Sequence, residues 1–166
     1  MRYNQVYLRE GLAVGAITKR PRAGVDPLVF LTRQTEFAAS HFYHNPALSP
    51  EENRRAFGNC NSPNGHGHNY VLQVTVRGDV DPVTGMVLDL KELKEILERE
   101  VMDAMDHRFL NHEVPVFSTV IPTTENLAIE IWRRLAPRIV KGQLHQVRLF
   151  ETPDLFVDYY GDCDGR

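Results

Sequence analysis

The sequence is poor in cysteine, with Cys60 and Cys163 the two in 166 residues. Two cysteines are a weak disulfide framework, so reduced thiols and a cytoplasmic protein are the expectation. Long hydrophobic runs are missing as well. Nothing approaches the roughly 18 apolar residues of a membrane span. The opening Met1-Arg2-Tyr3-Asn4-Gln5 lacks the apolar core of a signal peptide. Charge of one sign is also scarce. Against 22 Asp and Glu stand 19 Lys and Arg, a formal net charge of −3. That leaves no polybasic footprint for nucleic acid or an anionic membrane. Repeats and low-complexity stretches are absent too. A chain of this length supports one domain with a real core.

Residues 1–27 read as an N-terminal extension, because Lys19-Arg-Pro-Arg-Ala-Gly-Val-Asp-Pro27 is loop chemistry. The domain proper is residues 28–166. Leu28 to His41 is long and β-prone. A short helical piece, Pro50 to Phe57, closes at Gly58. In the next strand His68, Tyr70, Leu72, Val74 and Val76 share one parity and form the apolar face. Asp81 to Gly85 is a turn. Asp89 caps a helix with Leu90, Leu93, Leu97 and Val101 at helical spacing, and Glu95 and Arg99 are spaced to pair on its outer side. A second helix starts at Thr123 or Thr124 with the stripe Leu127, Ile131 and Leu135, and ends before Pro137. Gln143 to Glu151 and Leu155 to Tyr160 are two more strands around the Thr152-Pro-Asp154 turn. Strands and helices in separate blocks predict an α+β domain, an antiparallel sheet with two helices on one face.

Histidine is where the chemistry gathers. His66 and His68 are two apart, so a strand through both points them to one face, the apolar one. Two imidazoles entering a core need partners, since an unbonded buried polar group costs on the order of 1–3 kcal/mol. A zinc ion is one such partner, and backbone bonds are another. Pairing of the two long strands brings His41 alongside, and three histidines with an open position are the pattern of a catalytic zinc. Cys60 precedes His66 by a loop-forming spacer. It reads either as a thiol activated by a cationic neighbour or as an inert one. Asp106-His107 is either a carboxylate-imidazole pair or a helix end with a favourable histidine. Glu151 ends an apolar strand face, where a carboxylate is unusual unless something binds it; two parallel N–H donors on a pterin or guanine edge suit it. Thr123, Thr124 and Glu125 precede a helix and also read as ordinary caps.

Taken together these residues resemble the 6-pyruvoyl-tetrahydropterin synthase family. The likeness runs over about residues 28 to 161, through Phe37-Ala-Ala-Ser-His41, Cys60 to Tyr70, Gly85 to Lys94, Asp106-His107, Thr123-Thr-Glu-Asn126 and Phe150-Glu-Thr152. It implies the tunnelling fold, ββααββ, closed into a barrel by oligomerisation: trimers stacked into a homohexamer with active sites between subunits. The implied substrate is 7,8-dihydroneopterin triphosphate. His41, His66 and His68 would bind Zn2+, with Cys60 the general base and Asp106 and His107 its proton relay. Glu151, helped by Thr123 or Thr124, would bind the pterin. Two products fit, 6-pyruvoyl-tetrahydropterin and 6-carboxy-tetrahydropterin, the latter released with acetaldehyde on the route to queuosine. The five-residue spacer between Cys60 and His66 looks more like the pyruvoyl enzymes, which serve tetrahydrobiopterin biosynthesis. A third reading is a non-catalytic zinc oligomer that binds pterins. Phe42 stands where the family often has arginine, a departure from the family's pattern at the expected triphosphate contacts.

Overall fold

Alternation of apolar and polar residues makes two strands of 13 residues each, β1 (Val29–His41) and β2 (His66–Gly78), which pair antiparallel from Val29↔Gly78 to His41↔His66. The computed structural model describes residues 28–162. The extension 1–27 and Cys163 lie outside the described residues. Between the two strands runs α1 (Pro50–Phe57), opened by a reciprocal capping box in which Ser49 and Glu52 each satisfy the other's backbone N–H. β4 (Gln143–Thr152) pairs antiparallel with β2, and β5 (Leu155–Tyr159) with β4.

The helices follow the expected caps. Asp89 accepts the Lys91 N–H at the start of α2 (Leu90–Leu97). The helix then widens into a π turn over Glu98–Met102 before α3 (Asp103–Met105). That extra residue per turn changes the outer register. Arg99 Nε bonds Glu100 Oε1 at 2.9 Å rather than Glu95 four residues back, and Glu100 also meets Arg138. Thr123 accepts the Asn126 N–H at the start of α5 (Thr124–Leu135).

The predicted apolar stripes meet in one core, except for Leu90, which sits exposed at the first position of α2. Tyr70, Leu72, Val74 and Val76 from β2, Val147 and Leu149 from β4, Leu93 from α2 and Leu127, Ile131 and Leu135 from α5 are all fully buried. Each such side chain contributes about 1.5–3 kcal/mol by leaving water. On the opposite face of the sheet Gln73 bonds Gln34 across β1 and β2 in an exposed contact.

One element departs from the expected all-antiparallel sheet. Arg108 and Phe109 form β3 (Arg108–Phe109), which pairs parallel with Ala39 and Ser40 of β1. The sheet order is therefore β3-β1-β2-β4-β5, a mixed sheet. Two residues are too few to show a period of two, so nothing in the local pattern announces this strand. β3 leads directly into the short α4 (Leu110–Glu113), and together they hold the segment after Asp106-His107 against the end of β1 that carries His41.

Candidate metal centre

Register builds this site. His41 is the last residue of β1 and lies directly opposite His66, the first of β2, with His68 two residues on along the same face. His41 Nε2 and His66 Nε2 approach to 3.2 Å. The other nitrogen of His41, Nδ1, lies 2.8 Å from the Pro122 carbonyl oxygen, with the Tyr70 hydroxyl at 3.2 Å. A carbonyl can only accept, so Nδ1 carries the proton and Nε2 presents a lone pair. A ligating imidazole typically has this outer bond. Burial, together with the facing His66 and the nearby His68, lowers the His41 pKa to about 4, so the ring is neutral at ordinary pH. Burial also lowers that of His68.

Glu151 completes the group. Its Oε1 lies 3.0 Å from His68 Nε2 and 3.7 Å from His41 Nε2, while Oε2 accepts a hydrogen bond from Thr124 Oγ1. Despite the close carboxylate, His68 Nε2 is a buried atom with no hydrogen bond. One ligand atom from each of His41, His66, His68 and Glu151 falls within 4.8 Å of the others. Convergent imidazole lone pairs, a carboxylate and an orphaned buried nitrogen fit a divalent metal ion, which would satisfy all four at once. The three histidines expected as ligands are thus brought together. Glu151, expected at the substrate, stands among them because its parity on β4 matches that of the buried Leu149 and Val147.

The remaining expected residues are distributed around this centre. Cys60 is a partly buried free thiol in the 3-10 turn Gly58–Asn61 and is not part of the converging group. Its carbonyl accepts the Tyr43 N–H at 2.8 Å, which ties the turn to the residue two beyond His41. Asp106 and His107 do pair: Oδ2 lies 2.9 Å from His107 Nδ1, while Oδ1 accepts the Ala38 N–H at 2.8 Å. Adjacent residues usually diverge, but His107 adopts φ 56°, the left-handed region, and this folds its ring back. The Ala38 N–H and then His107 hold the Asp106 carboxyl below the usual range. His107 shares a cleft of about 540 Å³ with Ser40, His68 and Phe109. Thr123 caps α5, and Thr124 is buried against Glu151.

Tyr43 escapes the sequence reading, and Glu125 enters it only as a cap. Tyr43 stacks edge-on at 4.9 Å from the His41 ring, and burial followed by the charges of Glu151, Cys60 and Glu125 pushes its phenol up. Glu125, read as a capping residue, is exposed and has no hydrogen bond or ion pair among the described residues. Its position next to Thr124 was the available signal.

An α+β sheet domain that gathers three strand histidines and a carboxylate around a metal-sized gap is the class this fold and site define. A family model described as 6-pyruvoyl tetrahydropterin synthase matches residues 30–162, and the chain belongs to that family. Over 132 residues it is 46% identical to the human 6-pyruvoyl tetrahydrobiopterin synthase, covering 80% of this chain and 91% of the relative. A 6-carboxy-5,6,7,8-tetrahydropterin synthase of Rickettsia felis is 25% identical over 149 residues, covering 79% and 99%. The structure of Caenorhabditis elegans 6-pyruvoyl tetrahydropterin synthase superposes with a TM-score of 0.79 at 42% identity, covering 82% of this chain and 98% of that one.

Proposed function

We propose that the protein is a zinc-dependent 6-pyruvoyl-tetrahydropterin synthase that acts on 7,8-dihydroneopterin triphosphate, a lyase that eliminates triphosphate and rearranges the side chain. The observation that carries this reading is the convergence of His41, His66 and His68 beside a free thiol and a carboxylate-imidazole pair. The greater likeness to the pyruvoyl-forming relative, 46% against 25%, favours that product over the carboxy one.

Zn2+ held by the three histidines would supply Lewis acidity to the side-chain oxygens. Cys60 accepts the proton taken from the substrate side chain, and Asp106 orients His107 to move protons on. In the homohexamer of stacked trimers that the resemblance implies, the Asp106-His107 pair would serve a thiol across the subunit interface. Resemblance gives the pterin's amino edge to Glu151. Oε2 of Glu151 already accepts from Thr124 and Oε1 faces the histidines, however, whereas Glu125, beside Thr124, has no hydrogen bond or ion pair among the described residues. We assign the edge to Glu125. Glu125→Gln is then expected to raise KM with kcat largely kept, while the reverse split would return the edge to Glu151. The location is cytoplasmic.

The experiment is anaerobic incubation with dihydroneopterin triphosphate and identification of products by mass. Triphosphate and a pyruvoyl pterin are expected, without acetaldehyde. Acetaldehyde release would mean the carboxy enzyme, and no turnover would leave a pterin-binding zinc oligomer. Cys60→Ala is expected to lower turnover roughly 10²–10⁴-fold while the metal is retained.

A further inference from the structure

Three protein ligands with an open position mark a catalytic zinc, and four mark a structural one. This centre has a fourth protein donor already in reach. With bonds of about 2.0–2.1 Å to nitrogen and carboxylate oxygen, the edges of a tetrahedral ligand set measure about 3.3–3.4 Å. The His41–His66 separation of 3.2 Å, the His41–Glu151 separation of 3.7 Å and the His68–Glu151 separation of 3.0 Å bracket that length. The 3.0 Å approach is not a hydrogen bond, since His68 Nε2 has none. Something other than mutual bonding accounts for the carboxylate standing there. Thr124 Oγ1, itself buried, donates to the other oxygen, Oε2, and so turns Oε1 to the histidines. A hydrogen bond to one carboxylate oxygen from outside, with the other oxygen aimed at the cluster, is how an outer partner orients a metal ligand.

We propose that Glu151 is the fourth metal ligand of the substrate-free enzyme, and that side-chain oxygens of the substrate must displace it. Glu151, held by Thr124, is then a latch. It satisfies the ion and excludes water from it while the site is empty, and it yields the position when a better-placed pair of oxygens arrives. The inference rests on the zinc reading of the proposed function. It gives Glu151 a place that the sequence expectation of a pterin contact does not.

The test is chelator competition on the zinc protein, with visible spectra of its cobalt(II)-substituted form, both without substrate. Glu151→Gln is expected to weaken metal binding by about 10–100-fold and to shift the cobalt bands, and Thr124→Val to weaken it by roughly 10-fold. Neopterin, which keeps the side-chain hydroxyls but lacks the triphosphate, is expected to shift the bands of the wild type and to bring the metal affinities of wild type and Glu151→Gln together. A folded Glu151→Gln protein with unchanged affinity and spectrum overturns the latch. If that variant does not fold, Thr124→Val with both readouts unchanged overturns it equally. Turnover by the wild type, assayed in parallel, separates the two readings. Activity with unchanged variant spectra removes the latch alone, whereas shifted spectra without wild-type activity keep the ligand and remove the proposed reaction.

Discussion

At His41 the fold lowers proton affinity and leaves an imidazole lone pair facing the cluster that could hold a metal ion. Burial and the two facing imidazoles lower its pKa from 6.5 to about 4, while the Pro122 carbonyl keeps the remaining proton on Nδ1. The unfolded chain therefore binds more protons than the folded one between about pH 4 and 6.5, and stability rises with pH across that window. Chelator-treated protein is expected to lose stability as the pH falls from about 6.5 towards about 4, read as a falling urea midpoint. A flat midpoint would show that the imidazole is not held neutral. At this scale much was legible. The parity of His66 and His68 with Tyr70, Leu72 and Val74 fixed the face they share, and the strand pairing that adds His41 follows from two long β-prone runs. The lean of Glu151 into the cluster was not. Parity tells which face a side chain takes but not whether a threonine on another element will hold one of its oxygens.

Among the elements, the turn before β2 sets the centre. Gly65 has φ +69°, and a Cβ there would lie 2.9 Å from the His41 carbonyl oxygen and 3.0 Å from the Phe109 ring. Gly65→Ala combines left-handed strain with a backbone clash, and about 1–3 kcal/mol of destabilisation is expected together with reduced metal content. Denaturation midpoints and metal analysis check this; a variant of unchanged stability and full metal content would mean that the turn relaxes without moving His41. The loop chemistry of Asn61-Ser62-Pro63-Asn64-Gly65 was readable as a turn. Its contact with Phe109 was not, because that contact depends on β3, a two-residue strand with no periodicity to betray it. The π turn after α2 was hidden for a related reason. The stripe of Leu93, Leu97 and Val101 fits an ordinary helix, and only the partner change of Arg99 exposes the widened register.

For the whole molecule, the ends of the sheet matter most. β5 is a terminal strand, and β3 covers β1 only at Ala39 and Ser40. Two lengths of strand thus present unpaired backbone among the described residues, which natural sheets cover or pair. Pairing with copies of the same chain would satisfy both, and a hexamer of the 19.0 kDa chain is expected in sedimentation. A stable monomer at micromolar concentration would contradict the barrel. The block order of strands and helices was enough to read an α+β domain. The barrel came from family resemblance alone, since no periodicity within one chain encodes the angle between copies.

The bond from His41 to Pro122 spans 81 positions, and Glu151 lies farther along still. Contacts so distant in sequence form late, after the chain has met the entropy of closing long loops. High-affinity metal capture thus cannot precede registration of β1, β2 and β4. In a refolding experiment the appearance of tightly held metal would therefore act as a clock, timing the completion of the sheet rather than its beginning.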